Sequence, residues 1–299
     1  MAEETEKKEI EKFHDKYYKL LLLLPAFLII FSLVYMYNFH NQNNDFIHKD
    51  ISLSGGTIIT IYDKLDVKNL EQDLSRKLDD FSAREISDLV TREQKAVIIE
   101  TKTSGESAKK ILEDYLGYAL TDKNSSFEFT GSTLSNSFYK QLLIAILFSF
   151  ILMSIVVFII FRNFVPSFTV ISCVFVDILL TLVTVNILGI KLSAAGIVAF
   201  LMLIGYSVDT DLLLTNRILK RSEGNLNSKI FGAFKTGITM TSTSIIAVIA
   251  AFLITKSISP VLGQIFIIMA IGLFFDIFNT WLTNVSILKW YIKNKEKKL

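Results

Sequence analysis

Two carboxylates, Asp209 and Asp211, lie near the end of a long apolar run that begins around Ser193. An ionisable group at membrane depth costs roughly 2.5–3.5 kcal/mol on insertion scales, which makes it a candidate functional site by default. The chemistry on offer is transfer of a proton or hydrogen bonding to a neighbouring helix. The plainer alternative is a pair of helix-end acids solvated at the surface. Two residues apart on a helix, the pair diverges by about 200° and cannot serve one narrow site. Asp209 shares its face with Gly205, Leu212, Leu213 and Asn216, and Asp211 with Ser207, Val208, Leu214 and Thr215. One acid is therefore expected to face this chain's own bundle, and the other a partner chain or the cytoplasmic interface. Arg217 follows where it can reach lipid headgroups or pair with an acid.

Other polar side chains interrupt apolar runs. Asp177 sits midway along the third run, and Asp276 and Asn279 lie in the sixth. The fifth opens with a hydroxyl-rich stretch in which Thr236, Thr239 and Thr243 share one helical face. Small hydroxyl residues let helices approach closely and hydrogen-bond across the contact. Packing and ion transfer remain equal readings of that stripe. No Lys, Arg or His lies within the spans at the depth of Asp209. A carboxylate buried without a cation suits either a proton carrier or an inert hydrogen-bond donor. His40 and His48 precede the first strand without a third ligand at metal spacing, so they read as loop histidines and no metal or other cofactor is expected. Cys173, the single cysteine, reads as a small core residue.

The elements that must hold these groups follow from composition. The chain is 51% hydrophobic, too apolar for a soluble domain, and its net charge of +2 implies no nucleic-acid partner. Residues 1–19 read as a charged tail, and residues 20–37 as a first transmembrane helix. A secretory signal is the rival reading there, weakened by the lack of a small-x-small cleavage site. Residues 38–139 form the only long polar segment. Strands are expected at 56–62, 84–91, 96–101 and 127–130, and helices at 66–80, capped by Asp66, and from Ser104 onward. The order βαββαβ predicts a ferredoxin-like sheet with helices on one face. Residues 140–285 carry transmembrane helices two to six, with runs at 141–161, 168–188, 193–214, 236–254 and 261–284. Residues 286–299 read as a basic tail. Lys and Arg concentrate at both ends and in the loop around Arg217 to Lys235, which puts both termini in the cytoplasm and the polar domain outside.

With this layout in place, two stretches acquire a resemblance. The segment Asp50-Ile51-Ser52-Leu53-Ser54-Gly55-Gly56-Thr57 and the segment from Gly205 through Asp209 and Asp211 to Arg217 resemble the SecF side of the SecD/SecF family. That family supplies accessory subunits of the Sec protein translocase and is related to the resistance-nodulation-division transporters. The Val208-Asp209-Thr210-Asp211 wording is similar to its archaeal branch. The resemblance implies an α-helical polytopic membrane protein of six transmembrane helices with one extracytoplasmic ferredoxin-like α+β domain. It implies a SecD partner with six spans of its own, the Sec translocation channel, an unfolded secretory polypeptide and the lipid bilayer as the remaining partners. It also implies a non-enzymatic role late in export, coupled in bacteria to the proton gradient. Two departures bear on coupling: Thr210 stands where the bacterial acid does, flanked by Asp209 and Asp211, and Thr239 stands where bacteria carry an arginine. Asp209 is carried over first and Asp211 second, with Arg217, Thr239, Thr243, Asp276 and Asp177 as the wider polar site and Gly55, Gly56 and Gly205 as motif glycines. An intramembrane aspartyl protease and a small-molecule exporter of the same superfamily are the alternatives.

Overall fold

A computed structural model describes residues 20–220 and 226–296. The expected tail at 1–19, the last three residues and Arg221 lie outside the described residues. The polar segment folds as the split βαβ pattern requires. Strand β1 (Gly56–Ile61) continues from two helices, α1 (Leu23–Asn43) and α2 (Ile51–Ser54). Helix α3 (Val67–Leu74), strands β2 (Ser82–Ser87) and β3 (Gln94–Thr101), helix α4 (Gly105–Leu116) and strand β4 (Ser125–Thr130) follow. The strands pair antiparallel in the order β2-β3-β1-β4, with Ile59 opposite both Ile99 and Phe127. Period-2 alternation places Ile59, Ile61, Val97 and Ile99 on one face, where Leu70, Leu74, Ala108 and Leu112 of the helices cover them. Each of the Leu, Ile and Val side chains stabilises the head by roughly 1.5–3 kcal/mol on burial.

Several bounds differ from the sequence reading, each for a local reason. Asp66 caps α3, accepting from the amides of Lys68 and Asn69, but the helix stops at Leu74 rather than running to residue 80. Past it the chain must turn so that Asp80, at positive φ, meets Lys102 and Lys191. Strand β2 ends at Ser87 because Asp88 folds back, its carboxylate accepting from the amides of Val90 and Thr91. Helix α1 runs on past Tyr37 to Asn43, which places His40 in its last turn rather than in a loop. There His40 stacks on Phe46 at 4.4 Å, while His48 meets Phe39 edge-on at 4.7 Å.

Among the described residues six helices are long and apolar enough to cross a membrane, so the protein is a multi-pass membrane protein carrying a ferredoxin-like head. Besides α1 they are α5 (Ser132–Phe161), α6 (Phe164–Ile187), α7 (Ala194–Lys220), α8 (Leu226–Thr255) and α9 (Pro260–Asn279) with its continuation. The amphipathic turns before residue 141 are continuous with the second span, which is why α5 starts earlier than its apolar stretch.

The head is stapled onto this bundle. The Leu192 amide donates to the His48 carbonyl at 2.6 Å, and the Leu192 carbonyl accepts from Asp50 at 3.0 Å. Ser52 Oγ accepts from the Ala194 amide, Lys191 reaches Asp80 at 2.5 Å, and the Ser87 amide donates to Ser257 in the α8–α9 loop at 2.9 Å. Gly55 and Gly56 sit at this joint with φ of 84° and 149°. A Cβ on Gly55 would lie 2.5 Å from the Ser132 backbone, and one on Gly56 2.5 Å from the Thr101 carbonyl. Both motif glycines are thus explained by close approach.

The Asp80 contact makes this joint sensitive to acid. Burial alone lifts the Asp80 carboxyl, but hydrogen bonds and charge from Lys191 and Lys102 outweigh it and hold the group below the usual carboxylate range. A carboxyl depressed by folding stabilises the fold above its unfolded pKa, about 3.9, and that stabilisation is lost as pH falls through the folded value. With both side chains a third or more exposed, the effect is expected to stay under about 1 kcal/mol. The protection factors of the amides at residues 190–192, each rate being referred to its intrinsic rate at the same pH, should hold near neutrality and fall by no more than about fivefold below about pH 4. Asp80→Asn should lower them at neutral pH and remove the acid dependence.

Candidate functional site

The polar residues of the spans fall into two zones. The inner one is built where α6, α7 and α9 meet. The α7 start is set by Ser193, whose hydroxyl accepts from the Gly196 amide and bonds Gln264 of α9, while the Gln264 amide donates to the Lys191 carbonyl at 2.6 Å. Gly196 lies directly against Gln264 and Gly272 against Leu203, so these two glycines allow α7 and α9 to close on each other. That approach brings Ser207 of α7 to Asp177 of α6, donating at 2.5 Å. Asn279 of α9 donates to Asp177 at 3.2 Å and to the Cys173 carbonyl at 2.7 Å.

One turn along α7, Asp211 is fully buried and accepts at a single oxygen from Thr280 (2.9 Å) and Asn284 (2.7 Å). Both donors belong to a π-helical turn, Thr280–Asn284, closed by the Val285 amide bonding the Thr280 carbonyl five residues back. It joins α9 to the last helix, α10 (Val285–Glu296). Single π turns inside α-helices occur often at functional sites. Here the turn presents Thr280 and Asn284 to one carboxylate oxygen. Asp276 completes the zone, fully buried beside Ser207 and Thr210. Neither of its oxygens meets a donor in normal hydrogen-bond geometry among the described residues. Lys289, 1% exposed, is buried in α10 rather than lying in a basic tail.

The outer zone faces away from the bundle. Asp209 is exposed on a strip of α7 that includes Val198, Met202, Gly205 and Tyr206. Tyr206 and Ser244 of α8 share a hydrogen bond at 2.7 Å. Thr239 and Thr243 are also exposed, their hydroxyls donating to the α8 carbonyls of Lys235 and Thr239. Arg217 is half-buried and donates to Thr236 at 3.3 Å.

Thus the structure gathers Asp177, Asp211 and Asp276, and places Asp209, Thr239, Thr243 and Arg217 elsewhere. The divergence of the two α7 acids is as the helical period requires, with Asp211 inward and Asp209 outward. Sequence reasoning missed Ser207, Thr280, Asn284 and Lys289 as members of the interior. A signal for Thr280 and Asn284 was present, since Asp276, Asn279, Thr280 and Asn284 recur at helical spacing, and Ser207 shares the face of Asp211 four residues on. No cluster of three His, Cys, Asp or Glu side chains suited to a metal ion forms among the described residues.

This geometry can be set beside known proteins. Residues 111–294 match the family described as protein export membrane protein SecD/SecF, C-terminal. A protein-export membrane protein SecF of Methanocaldococcus jannaschii is 36% identical over 93% of this chain and 96% of its own length. The chain belongs to the SecD/SecF family. A SecF of Methanothermobacter thermautotrophicus is 37% identical over 93% of this chain and 94% of its own length, again an archaeal relative. The crystal structure of SecDF, a translocon-associated membrane protein from Thermus thermophilus, superposes with a TM-score of 0.65 at 17% identity. It matches 95% of this chain but only 38% of that longer one, and at this identity it speaks to the fold of the SecD/SecF half alone.

The two zones make opposite demands on stability. Asp211→Ala leaves the Thr280 hydroxyl and the Asn284 amide without their acceptor in an apolar interior, at a cost of about 1–3 kcal/mol. Asp209→Ala, on an exposed face, should stay within about 0.5 kcal/mol. Thermal unfolding of the two variants in the same detergent checks the contrast; equal midpoints would remove the distinction between the zones.

Proposed function

We propose that this chain is the SecF-type accessory subunit of an archaeal protein-export machinery, working with a SecD partner to assist late translocation or release of secreted polypeptides. The observation that carries the reading is the α7 strip: a carboxylate, Asp209, and a tyrosine, Tyr206, with Ser244 beside it, left on the outside of a six-span bundle at membrane depth. Such groups are expensive against lipid and sit instead against protein. The family, and the solved SecDF chain in which this length accounts for 38%, make a second six-span half the fitting cover. In this reading Val198, Met202, Tyr206 and Asp209 meet SecD. The head lies outside the cytoplasm, both termini lie inside, and the Sec channel and the emerging unfolded polypeptide engage the assembly on the head side.

The inner zone is the place where coupling to a proton gradient would reside. Three like charges cannot be held so close in an apolar interior, so the cluster is suited to holding protons. Asp177 and Asp211 have oxygens engaged by Ser207, Asn279, Thr280 and Asn284, which favours a hydrogen-bonded relay over the water-activating dyad of an intramembrane protease. With Thr239 exposed and no arginine in α8 at that depth, Asp211 and its donors are the groups whose rearrangement a proton would bias.

Co-expression with SecD and purification through this chain tests the reading. Met202→Arg with Tyr206→Arg should lower SecD recovery at least about tenfold, corresponding to about 1.4 kcal/mol. Asp211→Asn should leave recovery unchanged and abolish the stimulation of export by a proton gradient. Undiminished recovery in the first variant would sink the partner face; undiminished stimulation in the second would reduce the cluster to packing.

A further inference from the structure

The β2–β3 hairpin ends in an apolar tip that the head's own core does not use. Val90 is 91% exposed and Leu89 49% exposed, although the remainder of the turn is tightly built. The Asp88 carboxylate holds the Val90 and Thr91 amides and pairs with Lys95 at 2.5 Å, and Arg92 sits at positive φ. An ordered turn that displays two adjacent aliphatic side chains offers an apolar contact at a fixed position.

Its position identifies what it contacts. The helix-free face of the sheet lies toward the bundle: Glu100, beside Arg84 on that face, falls within electrostatic reach of Asp50 at the joint. Ser87, the last residue of β2, hydrogen-bonds Ser257 in the α8–α9 loop. Beyond it, Asp88, Leu89 and Arg92 line one cleft with Leu253, Lys256 and Ser257. Leu253 lies two residues inside the end of α8 at Thr255, about 3 Å into the span. Leu89 thus reaches the level of the apolar segment.

The side of α8 matters as much as the level. Ser244, which touches Tyr206 beside Asp209, precedes Leu253 by nine residues, about two and a half turns, so the two point in opposite directions. Leu253 continues an exposed aliphatic strip with Ile246 and Ile249. The hairpin therefore overhangs the flank of α8 turned away from the Tyr206–Asp209 strip. Arg92 and Lys256, both exposed, stand where phosphate headgroups would meet them.

We propose that the Leu89–Val90 tip inserts into the interfacial region of the bilayer on the head side, as a third foot that holds the head against the membrane beside its two protein contacts at Leu192 and Ser257. The occupant is lipid: acyl chains against Leu89, Val90 and Leu253, and headgroup phosphate beside Arg92 and Lys256. The partner argument is not needed for this contact, which belongs to the opposite side of α8.

An environment-sensitive fluorophore on a Val90→Cys variant of the full chain, in a Cys173→Ser background, reads the contact directly. The protein is reconstituted with SecD in vesicles of phosphatidylcholine and phosphatidylglycerol. Lys110→Cys, on the exposed side of α4 in the helix layer beyond the sheet, is the reference position. Emission from position 90 should be blue-shifted relative to position 110, quenched by nitroxide-labelled lipid and protected from aqueous iodide, with or without SecD. Water-like emission with iodide access equal to that of position 110 would overturn the proposal. So would lipid quenching that vanishes when SecD is added, which would assign the tip to the partner instead.

Discussion

Inside a bilayer every polar group must find its partner within the protein, because no water is available to substitute. The arrangement of α6, α7 and α9 follows from that constraint. Asp177, Asp211, Ser207, Asn279, Thr280 and Asn284 would each be costly facing lipid, and they hydrogen-bond one another across three helices. The small residues Gly196 and Gly272 permit the close approach that the hydrogen bonds require. Packing and polarity thus select the same helix contacts. The π turn is the adjustment that lets the sixth span offer two donors to one acceptor without breaking its ladder.

The same reasoning accounts for the head. Its core is modest, and its sheet is open on the face toward the bundle. What keeps it in place is a set of backbone bonds to the two loops on that side of the membrane, with the Asp80 pair and the Gly55–Gly56 joint beside them. Leu192 bonds the head, and its neighbours Lys191 and Ser193 bond Gln264, so the head's joint and the starts of α7 and α9 form one connected set of hydrogen bonds.

Much of this was legible in the sequence. The βαββαβ order follows from alternation at 56–62 and 96–101 and from helical spacing at Leu70, Leu74, Ala108 and Leu112, because those periods are imposed by burial on one face. The six spans follow from apolar length, and the 200° divergence of Asp209 and Asp211 from helical geometry alone. What could not be read was which acid turns inward. That choice is made by Thr280 and Asn284, some seventy residues away in the chain, and by helix packing that no local pattern encodes. The π turn carries no compositional mark. Lys289 reads as part of a basic tail because its burial depends on the sixth span running on through the π turn into α10, which packs against α6 and α7, a tertiary matter. The early stop of α3 was hidden for a similar reason, since Asp80 serves a lysine more than a hundred residues distant.

The central claim is that the α7 strip around Asp209 is a membrane-embedded protein interface while Asp211 is sealed inside. Photocrosslinking from a benzophenone side chain placed at position 209 or at position 211, in native membranes with co-expressed SecD, tests it most directly. The account predicts a crosslink to SecD from position 209 and none from position 211. Absence of a SecD crosslink at 209, or a SecD crosslink from 211 in the folded chain, would contradict it.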